Sequence, residues 1–284
     1  MFKTKMKRVF CGALALCGVF ACTATMTACE TSHPKVEMQI EFNGATYELD
    51  YKLYRKVAPA TVNHFLALAE NGYFDGLCVH DYTSEKWYTG GYSYENDNLV
   101  YKKYYDIVKD YKDFPISVWE DNDKTIPTYT VYGEFYENAD FTVENGALDQ
   151  TFGSLSMFYT EKDVEQQVVI ERHNGEGVAL RNYNENSATS LFFISLASET
   201  KSDDNYCTFA TLDEDSVDVL NDLKADIETY ISENYDDEGG EVFAPETEVE
   251  VDADDRYVGN KDNVEKYNVP KKAIVIKSLK VKKY

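Results

Sequence analysis

The sequence has few basic residues for its length. In 284 residues, 28 lysines and arginines stand against 51 aspartates and glutamates, which gives a formal net charge of −23. A surface that binds nucleic acid needs a basic footprint to neutralise phosphates. The charge balance therefore excludes a nucleic-acid partner. Apolar residues make up 43% of the chain, enough for a hydrophobic core, and this excludes wholesale disorder.

Cysteine and histidine are also scarce, with six and four residues. No metal-ligand spacing links the four histidines, which are His33, His64, His80 and His173. The sequence therefore predicts no metal site and no other cofactor. Three of the cysteines lie in the first 28 residues. Of the later ones, Cys78 and Cys207 could form a disulfide or remain two buried thiols, and the pattern leaves both possibilities open.

The N-terminal residues have the pattern of an export signal. Four basic residues precede an apolar stretch, Val9–Ala21, that is too short to span a bilayer. Met26-Thr27-Ala28-Cys29 then resembles the lipobox of bacterial lipoproteins, in which cleavage precedes the cysteine and the thiol receives lipid. We expect a signal peptide at 1–28, lipidation of Cys29, a tether at 29–35, and an extracytoplasmic protein anchored to the bacterial cell membrane. An ordinary signal peptide with an incidental cysteine is the alternative.

Alternating apolar and polar residues open the rest of the chain. Val36–Phe42 and Tyr47–Leu53 have the period of half-buried strands, and Asn43-Gly44 between them is a favoured hairpin turn. A helix is predicted from Pro59 to a stop at Gly72. Further predicted elements are strands around Thr128–Phe135, Gly153–Phe158, Leu191–Leu196, Tyr206–Leu212 and Ala273–Val281, the last with a bulge, and a helix over Ser216–Ser232.

Two stretches look like insertions into this framework. Residues 92–128 are rich in Tyr, Lys and Asp, and they should include a short helix near Val100–Lys112. The second insertion spans about 234–268. Residues 233–255 contain eleven Asp or Glu and no Lys or Arg, a density that predicts a solvated or disordered loop. The remainder of 36–284 has the length of one domain.

Seven segments in register resemble the cyclophilin family. Ala58–Phe65 and Asn71–Gly76 are similar to its first helix and the loop that follows. His80 lies ten residues before Gly90-Gly91, which is the family's spacing between its FHR and QGGD motifs. The other matches are Tyr132–Phe135 with the GEF segment, Gly153–Met157 with G-x-L-S-M, Ser190–Ile194 with S-Q-F-F-I, and Asn205–Phe209 with the strand before the second helix. The chain most resembles the family's bacterial lipoprotein branch.

The resemblance implies a mainly β fold: a closed eight-stranded antiparallel barrel with two capping helices and, here, two insertions. It also implies peptidyl-prolyl cis-trans isomerase activity, in which an apolar pocket desolvates proline and an arginine donates to the twisted amide. The arginine position, after His80, is occupied by Asp81. An ionised carboxylate only accepts hydrogen bonds, and the loss of one preorganised donor costs about 2.7–4 kcal/mol.

The implied substrate groove has changed as well. Its positions are Lys86, Trp87, Thr89, Phe158, Tyr159, Leu191, Phe193 and Tyr206. Phe193, at the floor of the proline pocket, and Tyr206 match what the pocket requires, whereas Phe158 and Tyr159 should crowd the groove. Arg172 or Arg181, in a widened segment beside the groove, could supply the missing guanidinium.

Two functions are compatible with this pattern. The first is a surface lipoprotein that assists the folding of exported proteins, with isomerase activity weak or lost because of Asp81. The second is a non-catalytic peptide- or protein-binding module on the same barrel. Both predict a monomer with proline-containing peptides or exported proteins as partners, and membrane contact through the lipid anchor alone.

Overall fold

The computed structural model describes residues 31–138, 148–159, 166–171, 177–197, 200, 205–235, 242–250 and 264–284. Its first seven strands are β1 (Lys35–Phe42), β2 (Ala45–Leu53), β3 (Leu77–Cys78), β4 (Asp81–Tyr82), β5 (Lys86–Thr89), β6 (Tyr92–Glu95) and β7 (Asn98–Tyr101). The others are β8 (Val118–Trp119), β9 (Leu155–Met157), β10 (Gln167–Glu171), β11 (Val178–Asn182), β12 (Phe192–Ser195), β13 (Thr208–Leu212), β14 (Glu246–Glu250), β15 (Val264–Asn268) and β16 (Ile274–Lys283). The α-helices are α1 (Pro59–Glu70), α2 (Tyr104–Val108) and α3 (Glu214–Asn234).

Eleven of these strands form one antiparallel sheet in the order β4-β5-β12-β9-β13-β2-β1-β16-β3-β6-β7. The order places β4 at one edge and β3 near the other, although Val79 and His80 alone separate these two strands in the chain. The sheet must therefore curl until its two ends approach each other. Backbone bonds agree with this curl, since Val79 donates to Ile274 on one side and His80 donates to Tyr88 on the other.

The mainly β, antiparallel character of the fold is therefore confirmed. The main sheet has eleven strands, and its hydrogen-bonded order has two ends. The closed eight-stranded barrel stays a prediction. Two smaller sheets lie outside the main one: β11-β10-β8 and the hairpin β14-β15. Both belong to segments that widen or interrupt the framework.

The core lies between the main sheet and two helices. α1 buries Val62, Phe65 and Leu66 in it, and α3 buries Leu220, Leu223 and Ile227 in the same cluster. Both helices present apolar residues three and four positions apart, which is the spacing that packs one helical face against a sheet. The predicted pair of core-covering helices is thus present, with α3 extending over the predicted 216–232.

The predicted first hairpin and the predicted bulge are both confirmed. Asn43 and Gly44 have φ of 47° and 85°, the left-handed values that a two-residue hairpin turn requires. In the pairing of β1 with β16, Gln39 faces Ser278 but the next residue faces Ile276, so that Lys277 is the extra residue. The bulge explains the change of apolar phase along β16.

The short helix predicted near Val100–Lys112 is present as α2, Tyr104–Val108, although β7 occupies the first residues of the predicted range. The strand around Thr128–Phe135 is replaced by irregular chain with isolated bridges, because the hydroxyls of Thr128 and Thr130 bond to backbone carbonyls.

Part of the acidic stretch 233–255, which was predicted to be a solvated or disordered loop, is a strand, and residues 236–241 and 251–255 lie outside the described residues. β14 pairs with β15, Val249 is buried against Cys78 and Tyr92, and Lys266 pairs with Glu246 at 2.8 Å. The burial of Val249 and the pairing with β15 therefore stabilise a strand here in spite of the density of acidic residues. Cys78 and Cys207 are both buried free thiols. Within the described ranges, no helix is long and apolar enough to cross a membrane.

Candidate functional site

A row of side chains crosses the sheet where the resemblance places the catalytic groove. Asp81 lies opposite Tyr88, Tyr88 opposite Phe193, Phe193 opposite Ser156, and Ser156 opposite Thr208. Directly opposed residues of antiparallel strands point to the same face of a sheet. These five residues, the groove row, therefore share one face. Their sequence neighbours Phe192, Ile194 and Leu155 belong to the core cluster on the other face.

Asp81 is engaged by the second insertion. Its Oδ1 accepts hydrogen bonds from the backbone N–H of Asn268, at 2.8 Å, and from the side-chain Nδ2 of Asn268, at 2.9 Å. Asn268 is the last residue of β15. The carboxylate thus fixes the end of the β14–β15 hairpin to β4, at the position that the resemblance assigns to a hydrogen-bond donor.

His80 lies under the same hairpin. Its ring centroid is 4.7 Å from that of Tyr92 and 4.9 Å from that of Tyr267, and the side chain is buried. Burial lowers the pKa of His80 to about 3, so the imidazole is neutral at ordinary pH. Its Nδ1 has no hydrogen-bond partner within the described residues. A neutral, covered imidazole is suited to packing the two insertions together and not to exchanging protons with a ligand.

Aromatic rings close over Phe193. The centroids of Tyr88 and Tyr206 each lie 5.3 Å from that of Phe193, and Phe158 packs edge-on against Tyr88 at 5.7 Å. We call Tyr88, Phe158, Phe193 and Tyr206 the ring cluster. Tyr159 extends it, 5.4 Å from Tyr206. Phe193, the implied floor of the proline pocket, has 0% of its surface exposed.

Lys86 covers the remaining side of this cluster. Its Nζ lies 4.3 Å from the centroid of Phe193 and 4.9 Å from that of Tyr206. An ammonium over an aromatic face gains about 0.5–1 kcal/mol at an exposed site and about 2 kcal/mol when desolvated. The lysine therefore lies over a ring face of Phe193, the residue that the resemblance assigns to the floor of the proline pocket.

The strand period separates the implied groove residues into two groups. Lys86 and Tyr88 lie on the groove face, whereas Trp87 and Thr89 alternate with them and point inward. Trp87 is buried and stacks on Tyr82 at 5.8 Å, and the Thr89 hydroxyl donates to the Cys78 carbonyl at 2.8 Å.

Leu191 lies at the end of the groove region. Its side chain fills the space beside Gly91, where an added Cβ would lie 2.5 Å from the Leu191 Cδ2. Gly90 is tighter still, because a Cβ there would lie 2.1 Å from the Ser190 carbonyl oxygen, and its φ is +96°. Close approach of backbone and side chain therefore accounts for the glycine pair.

Glu134, in the segment that resembles GEF, caps the N-terminus of α1. Ala58 gives α1 no side-chain cap, and Glu134 takes that role from the Tyr132–Phe135 segment. Its two carboxylate oxygens accept from the backbone N–H groups of Ala60, at 3.2 Å, and Thr61, at 2.8 Å. Burial raises the pKa of Glu134 to about 7 in spite of these bonds.

Of the two arginines that could replace the missing one and the proposed lipidation residue, the structure describes only Arg181. Arg181 lies in β11, the edge strand of the smaller sheet, where its Nη1 donates to the Leu180 carbonyl at 2.9 Å. Arg172 and Cys29 lie outside the described residues. No group of three potential metal ligands occurs in the part of the chain that the structure describes.

Sequence reasoning missed four residues of this site. Tyr88 could have been found from the alternation of Lys86–Thr89, which puts it beside Lys86. The hydroxyl pair of Ser156 and Thr208, 2.7 Å apart, follows only from the register of β9 with β13. Asn268 is 187 residues from Asp81 in the chain and carried no sequence signal.

Comparisons with known proteins give the family. Residues 36–238 match the family model described as Cyclophilin type peptidyl-prolyl cis-trans isomerase/CLD. The cyclophilin type peptidyl-prolyl cis-trans isomerase of Cryptosporidium parvum is 16% identical, with 89% of this chain and 99% of that chain covered and a TM-score of 0.43. The same protein in the presence of the dipeptide Ala-Pro gives 16% identity, 88% and 99% coverage and a TM-score of 0.42.

The Mimivirus cyclophilin is 15% identical, with 89% of this chain and 91% of that chain covered and a TM-score of 0.43. No curated protein sequence matches. The match of the family model spans well over half of the chain, from β1 to the end of α3. The chain belongs to the cyclophilin-type peptidyl-prolyl cis-trans isomerase family.

Proposed function

We propose that this chain is an extracytoplasmic, lipid-anchored cyclophilin that binds proline-containing segments of exported proteins and whose isomerase activity is weak or lost. One observation carries the proposal. The carboxylate of Asp81, on the same sheet face as Phe193, accepts two hydrogen bonds from Asn268 and has no donor to offer.

The energetic argument starts from the peptide bond. Rotation about it meets a barrier of about 18–20 kcal/mol because it breaks amide resonance. A hydrogen bond donated to the twisted amide lowers that barrier, and a preorganised donor is worth about 2.7–4 kcal/mol, or roughly 10²–10³ in rate. With Asp81 at this position, the groove lacks that contribution and presents an acceptor instead.

A second function, a non-catalytic binding module, is favoured by the contact of Lys86 with Phe193. A proline ring can reach the floor of the pocket only after the ammonium leaves, so the groove as it stands is closed to the substrate. On this alternative, partners bind elsewhere on the barrel or on the inserted segments, and turnover is absent.

We retain the closed eight-stranded barrel in this proposal. It is supported by the position of Leu77–Tyr82, which pairs with β16 at one end and with β5 at the other. A monomer is proposed with it.

The activity is tested with an Ala-Pro peptide in a protease-coupled isomerase assay. The wild type should run close to the buffer rate. Asp81→Arg combined with Asn268→Ala, which removes the opposing side-chain donor, should gain roughly 10²-fold, whereas Asn268→Ala alone should not. A wild-type rate equal to that of a working cyclophilin would contradict the proposed loss.

Binding separates the two functions. Titration of the wild type with the Ala-Pro dipeptide, in whose presence the Cryptosporidium protein was studied, reports the groove directly. Binding without rate acceleration supports a proline-binding groove that has lost turnover. Absence of both binding and rate acceleration supports the non-catalytic module.

The proposed lipid anchor is tested by the mass of Cys29 in membrane-extracted protein, with Cys29→Ser as the unlipidated control.

A further inference from the structure

Three lysines face one another across adjacent strands. In the antiparallel register, Lys35 of β1 lies opposite Lys52 of β2 on one side and opposite Lys283 of β16 on the other. Like charges placed directly opposite in a sheet destabilise it. The row therefore imposes a cost on the folded protein that its packing does not explain.

The rest of the same surface does not repeat this arrangement. Farther along the strands, Glu37 pairs with Lys282 and Glu41 pairs with Lys277, so opposite charges alternate. At the row itself, Lys35 pairs with Asp213 at 2.5 Å. Asp213 therefore offsets one charge of the row.

The other cations of this end lie close together. Lys56 follows Arg55, whose backbone N–H donates to the Ser32 carbonyl at 3.1 Å, so it belongs to the same end of the fold. Burial, and then the charges of Lys52, Lys56 and Lys283, lower the pKa of His33. Lys52 also lies 4.8 Å from the centroid of the Tyr54 ring. We call Lys35, Lys52, Lys56 and Lys283 the tether-end patch.

The patch surrounds the point where the N-terminal segment joins the barrel. Thr31 donates to the carbonyl of Tyr284, and the Arg55 guanidinium donates to the carbonyl of Thr31 at 3.0 Å. Leu53 donates to the carbonyl of Pro34. Whatever precedes Thr31 therefore leaves the fold beside these lysines, and the sequence there contains the apolar run and Cys29.

We infer that the tether-end patch binds the anionic headgroups of the membrane that carries the proposed lipid anchor. The inference rests on that anchor, which would hold the patch within a Debye length, about 8 Å, of the bilayer surface. A lysine close to an anionic leaflet gains about 1 kcal/mol. The membrane thus compensates the repulsion within the row, and the patch faces the bilayer.

Contact between the patch and the bilayer also fits the acidic charge of the chain as a whole. With residues 1–28 and their four basic residues removed, 24 lysines and arginines remain against 51 acidic residues, and a chain of net charge −27 is repelled by an anionic bilayer. The repulsion acts most strongly on acidic segments such as β14, with Glu246 and Glu248, and least on the tether-end patch. The lipid anchor alone fixes no orientation, whereas the patch turns the end at Thr31 and Tyr284 towards the lipid.

The experiment uses the full lipidated chain bound to vesicles, read by amide hydrogen exchange. On vesicles of mixed phosphatidylglycerol and phosphatidylcholine, Lys52–Val57 and Lys280–Tyr284 should exchange more slowly than on pure phosphatidylcholine. Salt at roughly 0.5 M should abolish the difference. The triple variant Lys52→Gln, Lys56→Gln, Lys283→Gln should lower the population in contact with the bilayer roughly a hundredfold.

A matched control keeps the change of net charge the same. Lys103→Gln, Lys109→Gln and Lys112→Gln neutralise three exposed lysines of the first insertion and should leave the protection unchanged. Equal exchange on both vesicle types, or equal effects of the two triple variants, would overturn the inference. Cosedimentation reports the anchor separately: a wild type that does not sediment with phosphatidylcholine vesicles contradicts the anchor, and one that sediments without protection contradicts the patch alone.

Discussion

The carboxyl group of Glu134 is subject to two opposed effects, and one variant decides between them. Helix N-terminal amides stabilise an ionised carboxylate, which lowers its pKa. Burial disfavours the ionised form, which raises it. The structure favours burial, since the pKa of Glu134 rises from 4.5 to about 7 while the N–H groups of Ala60 and Thr61 still donate to it. Replacing Glu134 by Gln keeps the size and a carbonyl acceptor and removes the titration.

The sign and size of the effect follow from that shift. Between pH 4.5 and pH 7 the folded protein binds more protons at Glu134 than the unfolded chain does. The free energy of unfolding that this group contributes is therefore fully present at low pH and is lost as the pH rises through about 7. One pKa unit corresponds to 1.36 kcal/mol, so the loss amounts to about 3 kcal/mol.

The assay is urea unfolding of the wild type and of Glu134→Gln across this pH range. The difference between their free energies of unfolding cancels the other carboxylates, and it should fall by about 3 kcal/mol from low to neutral pH. Glu137→Gln, at an exposed site three residues away, is the matched control for the removal of one carboxylate. A difference that stays constant or rises with pH for Glu134→Gln would show that the helix N-terminus dominates, and our reasoning on burial would be refuted.

Three further predictions follow from the site. Lys86→Ala should uncover the ring of Phe193 and tighten the binding of a proline peptide by roughly fivefold in calorimetry, because no ammonium has to leave the ring face; an affinity equal to that of the wild type would contradict this. Asn268→Ala should speed amide exchange in Val264–Asn268, because the lost hydrogen bond to a charged acceptor is worth about 1.5–3 kcal/mol; unchanged exchange would exclude the anchoring role. Cys78 and Cys207 should react with a thiol reagent only on unfolding, since burial raises the pKa of Cys78 to about 12 and raises that of Cys207 as well, so labelling of the native protein at the rate of a free thiol would be inconsistent with the fold.

Local signals predicted the parts of this fold that depend on neighbours in the chain. The first hairpin needed only alternation and an Asn-Gly turn, and α1 needed only a proline start, apolar spacing and Gly72. The bulge in β16 could be predicted because a change of apolar phase can be accommodated in a strand by one extra residue. Each of these predictions rests on a few consecutive residues.

Local sequence patterns gave the wrong secondary structure where contacts with residues distant in the chain determine the conformation. Thr128 and Thr130 have the composition of a strand, yet their hydroxyls bond to the carbonyls of Val118 and Asn186 and take the chain out of the ladder. β14 has the composition of a solvated loop. It forms a strand because it pairs with β15 and because Val249 is buried. Thr130 and Asn186 are 56 residues apart, and Cys78 and Tyr92, against which Val249 is buried, lie far from it in the chain, so a short window of sequence does not contain both members of these pairs.

The same reasoning changes how Asp81 should be understood. Taken alone, a carboxylate at the position that the resemblance assigns to an arginine would be a defect in the proposed isomerase site. In the structure it is half of a contact whose other half, Asn268, belongs to the second insertion. An arginine at this position would bring its donors against the N–H groups of Asn268, donor to donor, beside a hairpin that also covers His80 through Tyr267. Asp81 and the end of the hairpin therefore depend on each other, and restoring a donor at residue 81 requires the side-chain donor of Asn268 to be removed with it.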